Sequence, residues 1–484
     1  MNLPELGVGL TWLTGLESLV EANSPLIDVL EIEPQTFWRR ESSGKAPAVD
    51  HAAVLCLQRR PTPKLIHSVG LPVGGTLAPP SVGLEVLRNV ALELEAPWVS
   101  EHLSFNCVGE DASTWHTGFL LPPRQTLAGV EAAVSSVRVL SSRMPVPVAI
   151  EGGVSYLQPR NDELPDGEFV AQVAESADCG ILLDLQNVWT NQHHGRQSAG
   201  DYVDQLPLER VWEIHLPAGS NHRSYCVDAH PGPSPAELFE LASRIVTRLP
   251  NLKALVFEIF PSSMPKLGVE LLRSQLEALQ RIWDRRGNSH DSRQQQVRRR
   301  EEATSGPTPL EWEKTLAALT SHKKCSGRLA DELRADPGLA IVRGMVDRYR
   351  GSMIVRTLRL SSRLIILERG PAYLEQLLAA FWKVHPPEAC AVDEAEAFAE
   401  YLQEEKPYVP FLPEILEYDR AVIAVALHGE ERLVPFRADP LPLLGALGAG
   451  RRPTRIATGN FEVRLTPEQV AAEAAALSQV QMIH

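Results

Sequence analysis

One feature constrains the fold of this chain above all others. Between residues 6 and 285, eight short apolar runs alternate with stretches of helical period. The runs are LGVGLTW (6–12), LIDVLEIEP (26–34), KLIHSVG (64–70) and WVSEHLSF (98–105), then VPVAIEG (146–152), GILLDLQNV (180–188), VWEIHLPAG (211–219) and ALVFEIFP (254–261). Near-continuous apolar strands are those of a parallel sheet covered on both faces. Helical patterns fall between them, as in GLEVLRNVALELEA (83–96), GVEAAVSSVRVLSSR (129–143) and SPAELFELASRIVTRL (234–249). In the last, Ser234 is placed to cap and Pro235 to open the helix. Eight strands, each followed by a helix or loop, predict an α/β fold of the (β/α)8 TIM-barrel type. An open doubly wound sheet alternates in the same way, but neither GVGL nor VGLPVGG carries the G-x-G-x-x-G spacing of a dinucleotide turn.

The chain has 484 residues, more than one core usually organises. After LEALQRIWDRR the stretch 287–309, GNSHDSRQQQVRRREEATSGPTP, is polar and reads as a linker. Residues 310–484 then form a smaller α-rich (α+β) domain: PAYLEQLLAAFWKVHPP and EAEAFAEYLQEE have helical patterns, while RAVIAVAL and NFEVRLTPE suggest a little sheet. The predicted organisation is a barrel over 1–286, a linker, and a second domain over 310–484. A formal charge of −14 argues against nucleic acid as a partner of the whole surface. No run approaches the roughly 18 apolar residues of a membrane span, and no basic, then apolar, leader opens the chain. The six cysteines lack C-x-x-C spacing, so a reduced cytoplasmic setting without a thiolate zinc site is expected.

Strand ends on one side of a barrel converge on a mouth where chemistry is built. In LIHSVGLPVGG the third strand closes on His67, an imidazole that alone would be read as held by a backbone carbonyl. The pattern returns, however. The fourth strand carries Glu101 and His102, the fifth ends at Glu151, the sixth has Asp184, the seventh ends at His215 and the eighth has Glu258. Buried carboxylates require a cation or a shifted pKa, and a multinuclear metal centre satisfies all of these groups together. Past the seventh strand, Asp228 and His230 stand two apart, a spacing that turns both toward one ion in an extended segment. His194, in NVWTNQHHG, is a further candidate, with His193 its competitor. Cys226 is read as a loop residue. Oxygen and imidazole donors suit iron, manganese or zinc alike.

Five fragments, IHSVGLPVG, WVSEHLSF, GILLDLQNVW, EIHLPAG and VDAHPGPSP, together resemble the multinuclear non-heme iron-dependent oxidative enzymes, the family of the methanobactin-biosynthesis oxidase. The resemblance covers roughly residues 5–285. It implies two or three irons of mixed ferrous and ferric state, O2 as co-substrate, and oxidative modification of a ribosomally made precursor peptide at a cysteine. Carried over residue by residue, it implies metal ligation by His67, His102, Glu151, Asp184, His215, Asp228, His230 and Glu258, with Glu101, Asn187 and His194 in catalytic roles beside them. Gly152 stands where the family has Asn, Gln35 and Thr36 replace its usual second-strand pattern, and the stretch before His194 is one residue short. These departures bear on substrate contacts more than on the metal ligands. Residues 310–484 resemble, more weakly, the helical partner proteins of such oxidases, which implies that they bind the peptide leader, by strand addition to the small sheet. Tethering would raise the effective concentration of such a partner. The rival is a zinc barrel, an abasic-site endonuclease or sugar isomerase. Net charge, the absence of a basic stripe and the absence of a strand-end lysine weigh against it.

Overall fold

A computed structural model describes residues 3–472, apart from 14, 41–46, 110–112, 217–219, 223–224, 228–234, 260–263 and 288–305. The eight apolar runs form one closed parallel barrel. Its strands are β1 Gly7–Trp12, β2 Val29–Ile32, β3 Lys64–Ser68, β4 Val99–His102, β5 Val148–Glu151, β6 Gly180–Asp184, β7 Val211–His215 and β8 Ala254–Phe257. Each pairs with its neighbours in the chain, and β8 closes the ring against β1. All residues of β1, β2, β3, β5, β6, β7 and β8 are buried, which is why they read as unbroken apolar runs. Amphipathic helices such as Ser81–Glu93, Leu127–Arg143 and Asp166–Ala177 cover the outside.

Register decides what meets at the mouth. His102 lies level with Glu151, and Asp184 lies level with His215. The run 98–105 is not one strand. β4 stops at His102, and Phe105 opens an antiparallel hairpin, Phe105–Val108 with Trp115–Leu121, that leaves the barrel. The helix expected from Ser234 starts at Ala236 with Pro235 as its cap, and Ser234 itself lies outside the described residues.

The next described helix, Pro309–Thr320, opens with a capping box in which Thr308 and Glu311 satisfy each other's backbone. This helix and the next two, Arg328–Ala335 and Pro337–Thr357, pack on the loops that follow β3, β4 and β5. Trp312 is buried there. Its Nε1 donates to Pro122 O at 3.0 Å, and the Arg124 and Arg160 guanidinium groups lie 5.0 and 5.2 Å from its ring. Phe105, Leu121, Tyr156 and Leu157 from the barrel share one apolar cluster with Trp312, Leu316 and Val342. Gly338 permits a close approach, since a Cβ there would sit 1.9 Å from Tyr156 O. Glu313 accepts hydrogen bonds from Thr76 N at 2.8 Å and Thr76 Oγ1 at 2.5 Å.

From Ile354 onward a second core forms among the remaining helices, with one antiparallel pair, Arg432–Ala438 and Thr458–Leu465. The run RAVIAVAL, expected in that sheet, is instead the end of the helix Leu412–His428. Leu412, Ile415, Leu416, Asp419 and Val425 bury one helical face, and Asp419 accepts from Ser361 N and Oγ, both at 2.8 Å. Helical burial overrides the β-branched composition. Among the described residues no helix is long and apolar enough to cross a membrane.

Burial pushes the Glu313 carboxyl from its ordinary 4.5 up to about 7. The fold therefore favours the protonated acid. That contribution is fully present below pH 4.5 and is lost as pH rises through 7, a change on the order of 2 to 3 kcal/mol. Urea midpoints measured across this window should fall more steeply with pH for the natural chain than for Glu313→Gln, whose neutral amide still accepts from Thr76. Parallel curves for the two proteins would remove Glu313 from this account.

Candidate metal centre

Three strand ends bring the first group together. His67 from β3, His102 from β4 and Glu151 from β5 offer ligand atoms all within 4.8 Å of one another. Glu151 Oε2 lies 3.3 Å from His67 Nε2 and 3.0 Å from His102 Nδ1. A second group, Glu151, Asp184 and His215, meets the same distance criterion, so Glu151 belongs to both. Glu258, which directly follows β8, places Oε2 3.5 Å from His215 Nδ1.

The hydrogen bonds around these atoms test whether a metal fits between them. Ser100 Oγ donates to Ile66 O at 3.3 Å, so the same oxygen accepts from His67 Nδ1 at 2.9 Å. That fixes the proton on Nδ1 and turns the Nε2 lone pair toward the Glu151 carboxylate. Two acceptors facing each other in a buried site repel unless a cation lies between them. Asn187 Nδ2 donates to Glu151 Oε1 at 2.9 Å, which leaves Oε2 for the imidazoles. Glu151 Oε2, although 3.0 Å from His102 Nδ1, and His215 Nδ1 are both buried without a hydrogen bond of good geometry. Buried acceptors of this kind, on oxygen and imidazole donors, fit a divalent transition metal, and the two overlapping groups fit more than one.

Electrostatics divide the imidazoles, leaving His67 neutral while the neighbouring carboxylates raise His102 and His215. Burial lowers the His67 imidazole well below its usual range, helped by His102 and His215. It would lower His102 as well, but the Glu151 carboxylate outweighs it and holds His102 at about 9. Neutral His67 is the form that ligates metal.

The remaining expected residues divide clearly. Asn187 sits in the first turn of the helix Leu185–His193, where its N–H donates to the capping Asp184 Oδ1 at 2.7 Å. Glu101 is buried among other partners: Ser68 Oγ donates to it at 2.5 Å, Leu71 N at 2.9 Å and His102 N at 2.8 Å. It ties the turn after β3 to β4, and burial pushes its carboxyl up to about 7. His194 ends the helix that carries Asn187, with Nδ1 3.2 Å from Ser155 O and its ring 5.0 Å from Tyr156. His193 is exposed, its ring 4.0 Å from that of Trp189 and tilted by 48° to it. Asp228 and His230 lie outside the described residues, and the Cys226 side chain is not described either. Of the unusual positions, Gln35 joins two loops, donating to Ser68 Oγ at 2.7 Å and accepting from Val69 N. At Gly152 a Cβ would meet Tyr202 Oη at 2.8 Å.

Two buried carboxylates escaped the sequence reading. Glu31 of β2 and Glu213 of β7 form a third group with His215, on the Nε2 side of its ring. Their signal was available: Glu213 stands two residues before His215 and so shares its face, and both acids interrupt otherwise apolar strands.

Residues 6–279 match the family described as RiPP precursor modification enzyme MbnB/TglH/ChrH, where RiPP denotes a ribosomally synthesised and post-translationally modified peptide. A UPF0276 protein of Anaeromyxobacter sp. (strain Fw109-5) is 32% identical over 243 residues, 49% of this chain and 83% of that protein. Another, from Streptomyces avermitilis, is 26% identical over 250 residues, 51% of this chain and only 50% of that relative. Among solved structures, a xylose isomerase domain protein from Planctomyces limnophilus aligns with 60% of this chain and 100% of its own, at 14% identity and a TM-score of 0.39. By residues 6–279, more than half its length, the chain belongs to the MbnB/TglH/ChrH family of RiPP precursor modification enzymes.

Proposed function

We propose that this chain is an iron- and O2-dependent oxidase that modifies a ribosomally made precursor peptide at a cysteine. The observation that carries the reading is the pair of overlapping ligand groups that share Glu151, with Glu151 Oε2 and His215 Nδ1 buried and without a hydrogen bond of good geometry. His67, His102, Glu151, Asp184, His215 and Glu258 would hold two irons, and Asp228 and His230 complete the set for a third. Bound iron supplies one-electron oxidation, reaction with O2 and an open position for a soft thiolate.

The chain's own residues supply the setting. Asn187 aims the shared carboxylate, and Ser100 fixes the tautomer of His67. Helices over 309–357 pack on the loops that follow β3, β4 and β5, at the end of the barrel where the site lies. Tyr349, half exposed on the last of them, stands 5.7 Å from Phe119 of the barrel hairpin. The barrel over 1–286 performs the chemistry, and residues 310–484 recognise the leader. Their antiparallel pair, Arg432–Ala438 with Thr458–Leu465, is two-stranded among the described residues and leaves an edge for strand addition.

Protein purified without air should contain iron in excess of zinc and convert a cysteine of its precursor only when O2 is admitted. Glu151→Ala and His215→Ala should each lose most of the iron and all turnover. Full iron occupancy in both variants would sink the ligand assignment, whereas zinc in place of iron would move the chain to a hydrolytic barrel.

The loop after β7 supplies a separate comparison. A protein thiolate held permanently on iron would compete with a substrate thiol for the open position. Cys226→Ser should therefore keep its iron and most of its product yield, while Asp228→Asn should lose activity even when folded. The opposite pattern, measured side by side, would exchange their roles.

A further inference from the structure

His215 faces two ways. Its Nδ1 points toward Glu258 and the Glu151–Asp184 group, and its Nε2 points toward the barrel interior. On the interior side Glu31 Oε2 lies 2.8 Å from Nε2, with Glu213 Oε1 behind it at 3.6 Å. Glu31, Glu213 and His215 are all fully inaccessible to solvent. A barrel interior is ordinarily filled by Val, Ile and Leu, and two acids in that layer are a poor choice for packing alone. Their placement is also highly determined. Glu31 is register-paired with Thr11 of β1, whose Oγ1 donates to Glu31 Oε1 at 3.1 Å. Trp98, just before β4, donates Nε1 to Glu213 Oε2 at 3.0 Å. Each acid thus has one oxygen tied down, Glu31 by the adjacent strand β1 and Glu213 by Trp98 from across the barrel, and the other is left on the His215 side.

We propose that Glu31, backed by Glu213, is a positioning residue for the metal centre: it accepts the Nε2 proton of His215 and so presents the Nδ1 lone pair to the mouth. The inference rests on the metal-centre reading and adds a part to it. Without the acceptor on Nε2 the proton is free to move to Nδ1, where it would be donated to Glu258, and the ring would cease to be a ligand. A hydrogen-bonded carboxylate behind a ligating imidazole fixes both its tautomer and its orientation, and raises its basicity. The same logic explains why His67 has Ser100 on its far nitrogen: each buried ligand imidazole has its proton taken on the side away from the mouth. His67 turns Nε2 to the site and His215 turns Nδ1, because their partners lie on opposite ring nitrogens.

The test is made on the full chain, metal-free at the start, with ferrous iron under argon and a competing chelator. Glu31→Ala should weaken iron binding about 10- to 100-fold. Glu31→Gln, whose amide oxygen can still accept from Nε2, should recover most of that loss. Burial lowers the His215 imidazole, but the buried carboxylates around it outweigh that and hold it well above the usual range. Nitrogen-15 shifts of labelled histidine are therefore followed in the metal-free protein to the pH at which the ring becomes neutral. The remaining proton should lie on Nε2 in the natural chain and in Glu31→Gln, but be spread over both nitrogens in Glu31→Ala. A purely structural role would lower thermal stability without moving that tautomer. If Glu31→Ala does not fold, Thr11→Val, which removes only the orienting hydroxyl, should show a smaller weakening in the same direction. Unchanged iron affinity in the folded variants, with His215→Ala losing its iron, would overturn the role of Glu31. Iron retained by His215→Ala itself would overturn the metal-centre reading, and this proposal with it.

Discussion

Everything in the site depends on the register of a closed parallel ring. Parallel strands cannot slip singly once the ring is shut, because each is bonded on both sides. His102 is therefore held level with Glu151, and Asp184 with His215, by backbone bonds that none of these side chains makes. Imidazoles and carboxylates that would repel or desolvate at ruinous cost if free to move are confined to one ring-shaped rim. Apolar burial along the strands supplies the energy that offsets this confinement, since nearly every strand residue is removed from water.

Around that rim, hydrogen bonds orient the candidate ligands from side chains that are not themselves in those groups. Asn187 is the clearest case. Its main-chain N–H is held by Asp184 and its side chain holds Glu151, so one residue couples the ends of two strands. Glu101 does comparable work one layer out, where three donors converge on its carboxylate. Its neighbour His102 reaches the site because successive residues of a strand face opposite ways.

Much of this was readable beforehand, for a physical reason. Eight strands buried on both faces leave eight apolar runs, and a polar residue at the end of such a run has little reason to be there except function. His67, Glu151, Asp184 and His215 stood out on those grounds. Glu31 and Glu213 did not, because they lie within their strands, where a single acid looks like a residue on the outer face. The RAVIAVAL segment misled for the opposite reason: its β-branched residues describe burial, and burial is shared by helix and strand. The packing of 309–357 on the mouth had no local signature at all. Trp312 and Glu313 are separated from Pro122 and Thr76 by 190 and 237 residues, distances over which periodicity says nothing.

That separation has a consequence in time. Chains are made from the N-terminus, and domains fold in that order. The barrel strands are all in hand by Phe257, whereas the first covering helix begins at Pro309. During synthesis the ring therefore closes before its roof exists. For that interval the loops after β4 and β5 lack the apolar surface of Trp312, Leu316 and Val342 that later covers Phe105, Tyr156 and Leu157. A chain halted before Pro309 would therefore carry that apolar patch uncovered.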